Sequence, residues 1–104
     1  MRTLAALLAT AILASLYPGH AMGDEIRVAA ASNSRAVLQE LAARFEKSTG
    51  HELALIFGST GKHYAQIVNG APFDVVLAAD AERPQKLEAA GLTVEGSRFT
   101  YALG

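Results

Sequence analysis

Three short segments, IRVAA at 26–30, LALIF at 53–57 and DVVLAA at 74–79, are apolar on nearly every successive residue. A strand that alternates apolar and polar positions rests one face on a core and wets the other, and these runs leave no wet face. Between them lie stretches whose apolar residues recur at helical spacing. Strands of that kind alternating with helices predict a parallel sheet covered by helices on both sides. The fold class is therefore α/β, in three layers, with the order β-α-β-α-β-α-β.

The polar break Ser32-Asn33-Ser34 precedes a helix expected at about 35–48, with Val37, Leu38, Leu41, Ala42 and Phe45 on one face. Ser34 is placed to cap it, and Thr49-Gly50 to stop it. Gly58-Ser59-Thr60-Gly61 turns into a short helix at about 62–68, closed by Asn69-Gly70. A third helix, about 82–90, has Pro84 near its first turn and Gly91 just past its end. Residues 99–103 predict the opening of a fourth strand with no closing helix after it, so the chain reads as a piece of a longer protein.

Residues 1–23 are set apart as a signal peptide. Met1-Arg2 is a basic start, the 13 residues LAALLATAILASL (4–16) are apolar, Pro18-Gly19 breaks the run, and small residues follow at Ala21 and Gly23. A helix that spans a bilayer needs about 20 apolar residues, more than this run offers. Cleavage after Ala21 and cleavage after Gly23 both fit. The mature part, 24–104, is then expected in a periplasm. The chain has no cysteine, which removes disulfides and thiolate metal sites. Its formal charge is −1 and its Lys and Arg are scattered, so no basic stripe offers itself to nucleic acid.

In parallel sheets ligands bind beyond the carboxyl ends of the strands. Two strand-to-helix loops there are rich in hydrogen-bond donors. Ser32-Asn33 opens the first helix, where unpaired N–H groups and a partial positive charge favour an anion. Ser59-Thr60-Gly61 opens the second, and its glycines let backbone N–H groups approach a ligand closely. Taken singly, the first loop reads as a helix cap and the second as a turn with a cap. Taken together they flank one point, and neither carries a carboxylate that would repel an anion. A pocket of donors alone selects a fully deprotonated oxyanion, because the proton of hydrogen phosphate would lack an acceptor at a cost of about 1–3 kcal/mol.

Other chemistry fits less well. Gly61-Lys62 suggests a phosphate-binding P-loop, but Ile56 stands where its first glycine belongs and His63 where Ser or Thr belongs. His51 and His63 lack the spacing of metal ligands. Asp74 and Asp80, at opposite ends of the third strand, lie too far apart for a catalytic pair and are expected in cap or loop contacts. Ser32 has no evident histidine base, which speaks against a nucleophile.

Ala29-Ala30-Ala31-Ser32-Asn33, the segment FGSTGKHYAQIVNGAPFDVVLAAD (57–80) and GSRFTYALG (96–104) together resemble the periplasmic molybdate-binding proteins of ABC importers, and are close to the subgroup that takes both molybdate and tungstate. The resemblance covers essentially all of 24–104. It implies a solute-binding protein and not an enzyme, a type II periplasmic-binding fold broken off within lobe I, and a missing second lobe that supplies the other cleft wall. It makes Ser32, Asn33 and Thr60 ligands of molybdate or tungstate, with Ser59 and Gly61 shaping the loop. It further implies a monomer that meets an ABC importer's membrane permease, without cofactor or resident metal cation. Many relatives have Ser where Thr60 stands. A receptor for another anion such as sulfate, a non-functional truncated receptor and a fragment of an α/β hydrolase remain as alternatives.

Overall fold

A computed structural model describes residues 23–103. The expected signal peptide falls, but for Gly23, outside them. Strand β1 (Glu25–Ala31) leads through a 3-10 turn (Ser32–Ser34) into helix α1 (Arg35–Thr49). Strand β2 (Glu52–Gly58), helix α2 (Thr60–Val68), strand β3 (Val75–Leu77) and helix α3 (Glu82–Ala89) follow. The sheet is parallel throughout, in the order β2-β1-β3. The expected α/β class is thus the observed one.

The central strand holds the core. Ala29 and Ala30 are fully buried, Val28 and Ala31 nearly so, because β1 has a strand on each side and helices on both faces. Leu38, Ala42 and Phe45 of α1 face Ile26, Val28, Leu53 and Leu55. Successive strand residues point to opposite faces, so Gly58 looks away from that side. A Cβ built on Gly58 would meet the His63 ring, which puts α2 on the other face. Helix α3 packs on α2 and buries Leu87.

Several boundaries depart from expectation. β3 is three residues long where six were expected: Ala78 and Ala79 leave the ladder at its end, where Ala79 N–H turns to the Thr60 hydroxyl, and Asp74 leaves it at the start. Asp74 N–H donates to the Arg27 carbonyl at 2.8 Å, and the Asp74 carboxylate accepts from Arg27 N–H at 2.8 Å. The fourth strand is absent: residues 99–103 have no ladder partner, and Phe99 and Leu103 are 77% and 94% exposed. One hydrogen bond, from the Tyr101 hydroxyl to the Ala78 carbonyl at 3.1 Å, ties this segment to the sheet. On α1 the buried stripe is narrower than the apolar pattern, with Val37 62% and Leu41 49% exposed. Leu41 instead borders an open groove of about 320 Å³ between α1 and the sheet, with Val75 and Leu77 on its far side.

Candidate anion-binding site

Ala31 pairs with Gly58 at the last rung of the β1–β2 ladder. Ser32 and Ser59 therefore leave adjacent strands at the same end of the sheet. α1 begins on one face and α2 on the other, so two helix starts approach that end from opposite sides. Their first N–H groups have no partner within the helix by construction.

The five expected site residues come together there, with different surroundings. Ser32 and Asn33 are exposed in the 3-10 turn. Ser59 is exposed, and its hydroxyl accepts from Lys62 N–H at 3.2 Å, capping α2. Thr60 is buried, and its hydroxyl accepts from the N–H of Ala79, just past β3, at 3.0 Å. A hydroxyl keeps one proton to donate while it accepts, so Thr60 still has a donor to offer. Gly61 lies against the Arg83 guanidinium: an added Cβ would sit 3.3 Å from it.

Two expectations need correction. Ser34 occupies the cap position of α1 without capping it by its side chain: the hydroxyl donates back to the Ala31 carbonyl at 2.6 Å, closing the 3-10 turn. The first amides of α1 thus have no capping side chain of their own. The space left by Gly58 admits no ligand, since the His63 ring fills it at 3.0–3.1 Å from an added Cβ.

Three contacts were not visible from the sequence. His63 is 2% exposed, and its Nε2 lies 3.1 Å from the Ala30 carbonyl. Its spacing of three from Thr60 places both on one side of α2, the signal that was available. The second contact is the one between Thr60 and Ala79. The third is the partner of Asp80, which was expected in a cap or loop contact and meets the first turn of α3: its carboxylate accepts from Arg83 N–H at 2.9 Å and from the Arg83 guanidinium at 2.7 Å. The backbone bond outweighs the opposing burial penalty and, with the weaker help of the guanidinium's bond and charge, holds the Asp80 carboxyl below its ordinary value. The acid near Thr60 is thereby matched by a cation, and the loops keep their neutral character. Asp74 is likewise lowered, chiefly by the Arg27 N–H, at the other end of β3.

The open groove beside α1 is a different place. Its lining is aliphatic and aromatic, and an anion there would lose hydration with no donor in return.

Residues 26–104 match the family model of the bacterial extracellular solute-binding proteins. The chain belongs to that family. The molybdate-binding protein ModA of Azotobacter vinelandii is 52% identical to the solute-binding chain over 93% of its length, and that of Rhodobacter capsulatus is 45% identical over 81%. A solved structure of the Azotobacter vinelandii periplasmic molybdate-binding protein superposes with a TM-score of 0.71 at 47% identity over 73% of the chain. The matched region is 38% and 33% of the two ModA sequences and 33% of the solved chain. The solute-binding chain therefore spans about a third of the length of these relatives.

Proposed function

We propose that this chain supplies one wall of the oxyanion cleft in an extracytoplasmic receptor for molybdate and tungstate, serving an ABC importer. The observation that carries the reading is the Ala31–Gly58 rung, which sets Ser32-Asn33 beside Ser59-Thr60 at the carboxyl edge of the sheet. Ser32, Asn33 and Thr60 donate to the anion, while Ser59 and Gly61 shape the α2 entrance. The relatives named for molybdate support the choice of ligand. Asp80, held by Arg83, leaves the wall without an unmatched negative charge.

The receptor is not an enzyme on this reading. The polar contacts of His63 run to Ala30 and Gln66, and that of His51 to Asp24, so neither imidazole serves a nearby hydroxyl as base. Residues 1–23 act as the export signal, the mature protein works as a monomer in the periplasm, and its partner is the importer's permease.

The test is calorimetric titration of the full-length receptor carrying this segment with molybdate, tungstate, sulfate and phosphate. Tight binding of the first two, with sulfate weaker and phosphate weakest, is expected. The 104-residue chain alone binds far more weakly, because it supplies a single wall. Tight phosphate binding, or submicromolar molybdate binding by the short chain, refutes the assignment. Periplasmic material should begin at Met22 or Asp24 on N-terminal sequencing.

A further inference from the structure

His63 is the one buried imidazole among the described residues, and the binding reading gives it no task. A carbonyl only accepts, so the 3.1 Å contact with Ala30 requires the proton on Nε2. Nδ1 lies 3.3 Å from the Gln66 side-chain amide. That amide presents its oxygen or, after a half-turn, its nitrogen, so it can serve Nδ1 either way. Phe73 meets the ring edge-on at 5.7 Å and 77°. The ring also rests against Gly58, where no Cβ stands in its way. Every side of the imidazole is therefore fixed by a neighbour.

Those neighbours lead to the candidate donors. Ala30 is two residues ahead of Ser32, Gly58 is one ahead of Ser59, and His63 is three beyond Thr60 on α2. Thr60 in turn holds Ala79 past the end of β3. One helical turn of α2 thus joins the carboxyl ends of all three strands, and His63 links the first donor loop to the second. Donors on separate loops serve one anion only if their spacing is held to about 0.5 Å.

Resting on the proposed oxyanion function, we infer that His63 is a positioning residue of the anion site. It touches no ligand. Its Nε2–H holds the end of β1 to α2, so that Ser32-Asn33 and Ser59-Thr60 converge on the same oxygens.

The experiment compares wild type, His63→Leu and His63→Gln in the full-length receptor. Molybdate affinity is read by calorimetry and stability by thermal unfolding. Leucine fills much of the space without a donor, whereas the glutamine amide can again donate to Ala30. Molybdate affinity should fall roughly tenfold in His63→Leu, the worth of one lost hydrogen bond, and return to within about threefold of wild type in His63→Gln. In wild type, nitrogen-15 spectra should show the proton on His63 Nε2, and its resonance should shift on saturation with molybdate. That spectrum decides the matter if the leucine variant does not fold. Unchanged affinity in His63→Leu, an equal loss in both variants, or a His63 resonance indifferent to molybdate overturns the inference while the receptor function stands. A wild-type receptor that binds no oxyanion overturns the function itself, and this inference with it.

Discussion

Gly58→Ala should destabilise the fold, against the usual direction for a glycine outside the left-handed region. Gly58 has no positive φ, so alanine costs no backbone strain there. By restricting the unfolded chain alone, the change would stabilise by about 0.4–1 kcal/mol. The new methyl, however, would lie 3.0 Å from His63 Cε1 and 3.1 Å from Nε2. A free side chain would swing aside, but this ring is held by Ala30, Gln66 and Phe73. Overpacking against a fixed group costs about 1–3 kcal/mol. The steric cost outweighs the entropic gain, leaving a net loss of about 1–2 kcal/mol. For a domain of this size, that lowers the melting temperature by about 5–15 °C. Urea unfolding followed by circular dichroism measures it, and a double-mutant cycle with His63→Ala isolates the contact, because the second change removes the obstacle. A Gly58→Ala variant as stable as wild type, or costs that add without coupling, would show that the ring yields and that the packing argument is wrong.

Thr60→Val and Ser32→Ala should separate stability from binding. Valine deprives the Ala79 N–H of its acceptor in a half-buried bond, so the stability loss is about 1–2 kcal/mol. Ser32→Ala removes an exposed hydroxyl and should change stability by less than about 0.5 kcal/mol. In the full-length receptor each should weaken molybdate binding by about ten- to a hundredfold, read by calorimetry. Gly61→Val meets first the end of the half-exposed Arg83 side chain, so its effect on anion affinity should exceed its effect on melting temperature; the reverse order makes the loop merely structural. Asp80 and Asp74 have lowered carboxyl values, so their stabilisation is complete above about pH 3.8 and fades as pH falls through the folded values. Acid titration of stability should accordingly show a shallower decline in Asp80→Asn than in wild type.

Elements whose residues had a single reading were legible from sequence. IRVAA and LALIF became β1 and β2 with one residue added at each end, since apolar runs of that length between polar breaks fit only a covered strand. The helix limits followed from Gly50, Asn69-Gly70 and Gly91, residues that end helices through their own backbone preferences. Contacts that depend on a distant partner were not legible. The Ser34 hydroxyl chose the Ala31 carbonyl over a helix amide, a competition that spacing cannot settle. DVVLAA shrank to three residues because both its ends bond distant partners, Asp74 to Arg27, 47 positions away, and Ala79 to Thr60, 19 positions away. The clustering of Ser32, Asn33, Ser59, Thr60 and Gly61 followed from topology alone. The link through His63 did not, because a histidine at that spacing on a helix reads equally well as an exposed residue.

The place of β1 in the sheet has a consequence for the order in which the chain organises itself. Among the described residues, the strand that comes first in the chain is also the one paired on both sides. Its rung with β2 closes a separation of 27 positions, from Glu25 to Glu52, and its rung with β3 one of 47, from Val28 to Val75. The longer closure costs only about 0.5 kcal/mol more in chain entropy. It returns three paired residues, however, where the shorter returns seven. β1 and β2 should therefore associate as soon as residue 58 is free, with the middle rungs of β1 still open on one side until residues 74–77 arrive. Pulse-labelled hydrogen exchange during refolding would register this as protection appearing in β2 before β3, with β1 acquiring its protection in two steps.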